Sequence, residues 1–122
     1  AIGQVASPGD AKSLEVLQAM AKDEFYEVRG AALGAIGQVA LPGDAKALEF
    51  LQAMAKDTND SVRAAAAQAI GQVASPGDVK ALEFLQAMAK DTDDSVRGAA
   101  VGAIGKVASP GDAPKPWRSY KQ

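Results

Sequence analysis

AIGQVA at Ala35–Ala40 decides the fold, because the same string opens at Ala1 and Ala69 and, as AIGKVA, at Ala103, always 34 residues after the last. Between these markers PGDAKALEFLQAMAKD, Pro42 to Asp57, returns as PGDVKALEFLQAMAKD, Pro76 to Asp91. Self-similarity at a fixed period of this length marks a solenoid, whose units bury their apolar faces only against their neighbours.

Each unit predicts two helices. The first, the A helix, runs from Asp44 to about Lys56. Pro42 and Gly43 turn the chain before it, and Asp44 is placed to accept a backbone N–H as N-cap. Leu48, Leu51 and Ala55 recur at three and four residues as the buried stripe, widened by Phe50 and Met54. Lys46, Glu49, Gln52 and Lys56 face water, and Lys56 falls in the last turn, where a cation suits the helix dipole. The second, the B helix, spans 60–74, with Val62, Ala65, Ala66, Ala69, Ile70 and Val73 as its apolar face. It stops before Ser75-Pro76-Gly77, since proline restricts the residue before it. The same pattern predicts A helices over 10–22 and 78–90 and B helices over 27–40 and 95–108. Residues 1–6 then form the stub of another B helix. The chain starts inside a repeat and without Met, which leaves room for repeats upstream.

Composition narrows the chemistry. Of the 122 residues, 48% are apolar but only 5% aromatic, so the core is built from Ala, Leu, Ile, Val and Met. There is no Cys and no His. Disulfides, thiolate metal sites and the commonest general base and zinc ligand are therefore all missing. Neither a cofactor nor a metal site is expected. A net charge of −2 and a pI near 5.0 argue against a track for nucleic-acid phosphates. No apolar run approaches the ~20 residues of a membrane span. The adjacent carboxylates Asp93 and Asp94 lie at a helix start and read as caps rather than an acid–base pair. The glycines form no phosphate loop, because no strand precedes them. The expectation is a non-enzymatic, cytoplasmic protein.

The spacing D-x-x-x-x-V-R followed by A-I-G runs from Asp57 to Gly71 and returns from Asp23 to Gly37 and from Asp91 to Gly105. This resembles the HEAT-like repeat of the phycobilisome-lyase type, over residues 1–112, as three full units and two partial ones. Artificial helical-repeat binders built on that consensus are similar too. The resemblance implies an all-α superhelix of stacked antiparallel helix pairs. It also implies a ladder between repeats, in which Asp23, Asp57 and Asp91 cap B helices and meet Arg29, Arg63 and Arg97. The turn Ala-Ser-Pro-Gly is longer than the family's usual link. The Trp-x-x-Leu-Gly-x-x-Tyr pattern of the tetratricopeptide repeat, which has the same period, is absent.

In proteins of this kind the B helices line the concave binding face. The positions expected there are Glu27, Gly30, Gly34 and Gln38; Ser61, Ala64, Gln68 and Gln72; and Ser95, Gly98, Gly102 and Lys106. That surface is small, nearly uncharged and without an aromatic anchor. Gly30, Gly34, Gly98 and Gly102 each cost about 1 kcal/mol relative to Ala inside a helix. Their spacing of four puts each pair on one face, where a missing Cβ lets another helix approach closely. The expected partner is thus another protein or a second copy of this chain, as in a homodimer, with no nucleic acid and no membrane. Copies differ most at 24–27, 30, 34, 64, 67, 68 and 98–102, which marks these as the functional positions. Phe25 and Tyr26 read as a local contact site or, in preference, as a cover for the first unit where an upstream repeat would stack.

Residues 113–122 break the pattern. This Pro-containing tail carries Lys115, Arg118 and Lys121 with Trp117 and Tyr120, and reads as a loose end, as a segment docking on a neighbour's acidic ridge, or as a cap on Val101, Ile104 and Val107. The leading function is a scaffold for protein–protein interaction. The alternatives are the scaffold half of a bilin lyase-type assembly, without residues for the attachment chemistry, or a spacer whose copies stack end to end. The family's metal hydroxylase and DNA glycosylase members are excluded by the missing His and the acidic charge.

Overall fold

A computed structural model of the chain describes residues 10–108. The stub at 1–6 and the tail at 113–122 lie outside the described residues, as does the end of the repeat region at 109–112. Within them six helices alternate in length: α1 (Ala11–Met20), α2 (Tyr26–Val39), α3 (Ala45–Met54), α4 (Asp60–Val73), α5 (Val79–Met88) and α6 (Asp94–Val107). The fold is an α–α repeat in which α1, α3 and α5 are the A helices and α2, α4 and α6 the B helices.

Local chemistry sets both ends of each A helix. Asp10 accepts the N–H groups of Lys12 and Ser13, Asp44 that of Ala47, and Asp78 that of Ala81. These side chains satisfy donors that the first turn leaves without partners. The helices end earlier than expected. Ala55 is the C-cap of α3, and the Lys56 N–H bonds back to the Ala53 carbonyl in a tighter turn. Lys56 therefore lies past the helix rather than in its last turn. The chain tightens there because only Asp57, Thr58 and Asn59 remain to reverse it before α4.

Packing is uneven between the two rows. Each B helix packs on its own A helix and directly on the neighbouring B helix, whereas the A helices make no comparable contact with one another. The core follows the B row: Leu33, Ile36, Val62, Ile70, Val73, Val96 and Val107 are buried there, met by Leu51 and Leu85 from the A helices. Each such side chain contributes roughly 1.5–3 kcal/mol. Because α4 has a B helix on either side, its buried surface is broader than one amphipathic stripe. Ala67 is fully buried while Ala65 is only partly so. Position 67 therefore belongs to the inter-repeat contact and not among the functional positions.

Small residues allow that contact. A Cβ on Gly71 would lie 2.9 Å from Ala103 Cα, and one on Gly37 would lie 3.1 Å from Ala69 Cα. Gly37 and Gly71, each the glycine of an A-I-G, are thus ones the B–B packing needs. Two other glycines serve the turns: Gly43 and Gly77 have φ of +78° and +79°, a region that costs L-residues with a Cβ about 1–2 kcal/mol. Nothing lies within 4 Å of a Cβ built on Gly77. Gly77→Ala should accordingly lose about 1 kcal/mol from backbone conformation alone, readable as a lower urea midpoint with an unchanged slope.

Candidate functional site

Neighbouring B helices are tied at both ends. At the C-terminal end, the Gly43 N–H donates to the Val73 carbonyl at 2.5 Å and the Gly77 N–H to the Val107 carbonyl at 2.6 Å. The turn leaving one B helix thus satisfies an orphan carbonyl of the next. At the N-terminal end, Arg29 Nε and Nη2 donate to the two Asp57 oxygens, and Arg63 Nε and Nη2 to those of Asp91, all at 3.0 Å. Nη1 of each arginine donates instead to two carbonyls of its own turn: Asp23 and Glu24 for Arg29, Asp57 and Thr58 for Arg63. The planar guanidinium serves both repeats at once, as a point charge on lysine does not.

The ladder departs from the expected geometry at its carboxylates. The B-helix N-caps are Phe25, Asn59 and Asp93, so Asp23, Asp57 and Asp91 stand two residues too early to cap. Each accepts the N–H of the residue two further on through Oδ1, which closes a small turn and fixes the carboxylate. Asp57 and Asp91 aim at arginines of the preceding B helix. Asp23 meets no such arginine among the described residues, and Arg97 donates only to the Asp91 and Thr92 carbonyls. Asp93 caps α6 through the Ser95 and Val96 N–H groups, which gives this carboxylate a structural task.

Burial tends to raise the Asp57 pKa. The hydrogen bond from Arg29, the Asn59 N–H and the charges of Arg29 and Arg63 outweigh it and hold the carboxyl below its usual range. For Asp91 the Arg63 hydrogen bond leads, joined by the Asp93 N–H, and the shift is again downward. The bond to Asp91 in turn raises the Arg63 pKa. Depressed folded pKa values give stability that is complete above the unfolded value of about 3.9 and is lost as pH falls through the folded ones. The unfolding temperature should therefore drop below about pH 4. Asp57→Asn should be destabilised at neutral pH and converge on the wild type in acid.

The twelve expected face positions all belong to the B helices α2, α4 and α6. All are exposed except Gly30 and Ala64, which are partly buried. Gly34, Gly98 and Gly102 have nothing within 4 Å of a built Cβ, and Gly30 meets only Ala65 Cβ at 4.0 Å. These glycines are not required by the fold, unlike Gly37 and Gly71. Between α4 and α6 the face forms a groove of about 480 Å³, lined by Gln68, Gln72, Ser95, Gly98, Gly102 and Lys106, with Ala99 and Ala103 as its apolar part. Its chemistry is amide, hydroxyl and bare backbone, with Lys106 the one charge. Ser61 stands near the start of α4, while Gln38 and Glu27 lie near the two ends of the neighbouring α2.

Phe25 and Tyr26 do not cover the first unit. Phe25 is 60% exposed and both lie outside the core, because they stand where α2 starts, beyond the apolar stripe of α1. No cluster of metal-ligating side chains occurs among the described residues, and no buried side-chain polar atom there lacks a partner. No described helix is long and apolar enough to cross a membrane. The family model for HEAT repeats matches residues 1–71 and 49–115. No curated protein matches the chain significantly.

Proposed function

Because the chain belongs to the HEAT repeat family, we propose that it is a non-enzymatic scaffold whose concave B-helix face receives another protein. The observation that carries this reading is the set of glycines that the fold does not need. Gly34, Gly98 and Gly102 each cost about 1 kcal/mol of helix stability, yet no neighbouring atom would obstruct a side chain there. A stripe of bare backbone flanked by Gln38, Gln68, Gln72 and Lys106 suits a helix or extended segment packed closely, with amides bonding its polar edge. The triple Asp–Arg spacing of six supports the phycobilisome-lyase type within the family. The lack of His and Cys supports a purely scaffolding part, in a cytoplasmic setting.

The partner is found with a photo-crosslinking residue at Gln72, on the groove, and at Glu83, on the exposed side of α5. Crosslinks should come from Gln72 alone. Gly34→Leu and Gly102→Leu should then weaken that partner at least about tenfold, some 1.4 kcal/mol each, without loss of stability. Unchanged affinity in both variants would overturn the reading.

A further inference from the structure

The groove between α4 and α6 has a direction. Its walls run parallel, since Arg63 and Asp91 join their N-terminal ends and the Gly77 turn meets Val107 at their C-terminal ends. Asp60 and Asp94 stand in the first turns of the two walls, and Lys106 in the last turn of α6. Ser95 and Lys106, both in the lining, lie about 16 Å apart along the helix at roughly 1.5 Å per residue. One mouth is therefore acidic and the other basic. The trough between them is open at Gly98 and Gly102. A difference between repeats keeps it so. The Gln72 amide oxygen lies where a Cβ on Gly37 would stand, so that side chain closes over the seam between α2 and α4. Lys106, its counterpart one repeat on, does not do the same: the three atoms nearest a Cβ on Gly71 all belong to Ala103. Lys106 is exposed and pairs with no carboxylate among the described residues.

Resting on the scaffold reading above, we propose that the occupant of this groove is a helix of about three turns, antiparallel to α6. A carboxylate of its first turn meets Lys106, and a cation of its last turn meets Asp60 and Asp94. The walls select a helix over an extended segment. Both are helix interiors whose backbone groups already bond within each helix, so a strand would find only the Gln68 and Gln72 amides for its peptide groups. A helix satisfies its own. Gly98 and Gly102 also leave a gap along an i, i+4 row, into which the i, i+4 ridge of another helix packs. Charge then fixes the direction. Acids favour the first turn of a helix and bases the last. Antiparallel docking sets those acids against Lys106 and those bases against Asp60 and Asp94, whereas parallel docking sets like charges together at both mouths.

The probes are two fluorescein-labelled, hydrocarbon-stapled helical peptides of about three turns. Both carry Leu at two positions four apart to face the trough. One has Glu in its first turn and Lys in its last; the other has them exchanged. Fluorescence anisotropy with the full chain should show the first bound at least about tenfold more tightly. Lys106→Glu, with folding confirmed by circular dichroism, should weaken the first peptide about tenfold. Replacing that peptide's first-turn Glu with Lys should restore binding to this variant. Gly102→Leu should weaken both peptides alike. Equal affinity for the two peptides, or for wild type and Lys106→Glu, would overturn the assigned direction and leave the scaffold reading standing. Binding that ignores Gly102→Leu would place the helix on another surface and refute its seat in the groove. No binding of either peptide would overturn the helical occupant, and a crosslink from Gln72 in the same chain would show that the scaffold reading outlives it.

Discussion

Gly71→Leu should collapse the stability of this protein, while Gly102→Leu, on the next B helix, should leave it unchanged or slightly raised. A side chain at Gly71 has no direction in which to relax. Its Cβ alone would stand 2.9 Å from Ala103 Cα, backbone that moves only if α6 moves as a body. Overpacking a fitted contact costs about 1–3 kcal/mol, and more where backbone must separate. We expect at least about 3 kcal/mol here, a large share of the 5–15 kcal/mol typical of a whole domain. Gly102 presents the opposite case: open space, and a helix interior in which Leu is preferred over Gly by somewhat under 1 kcal/mol. Chemical denaturation of the two variants in parallel separates a fold-essential glycine from one kept for a surface.

Arg63→Met should cost about 2–3 kcal/mol, and Arg97→Met clearly less. Methionine keeps much of the packing of the arginine stem but none of its donors. At position 63 the change leaves the Asp91 carboxylate and the Asp57 and Thr58 carbonyls without their partner. The carboxylate side chain is only 17% exposed, so water replaces the lost donors poorly. Hydrogen bonds to charged groups carry about 1.5–3 kcal/mol, which sets the scale. At position 97 only the two turn carbonyls lose a donor, both in exposed surroundings. Equal losses at the two sites, measured at a concentration where the chain is monomeric, would mean that the turn carbonyls and not the inter-repeat bond carry the effect.

The helical layout was legible because its signals are local. Pro-Gly-Asp before each A helix and apolar residues at three and four spacing in Leu48, Leu51 and Ala55 need no tertiary knowledge. Six helices stand within two residues of the expected bounds. The partnership of Asp and Arg across repeats was legible only through resemblance, since a spacing of 28 between Arg29 and Asp57 carries no periodic signal. The capping role assigned to those aspartates was misplaced, because the turn Asp57-Thr58-Asn59 offers two cap candidates and Asn59 takes the position. Glycine was the hardest residue to read. Gly34 and Gly71 look alike in a helical string, and only the distance to the neighbouring helix separates them.

The ties at both ends of the B helices also govern how the molecule deforms. In beam terms the neutral plane lies near the B row, where bidentate ion pairs, turn hydrogen bonds and glycine contacts fix the separation of successive helices. The A row has no such ties and takes up the strain, as the outer edge of a fan does. Bending therefore changes the spacing of Glu49 and Glu83 far more than that of Gln38, Gln72 and Lys106. A molecule held along the B side meets a ruler of constant pitch while the back of the ruler flexes.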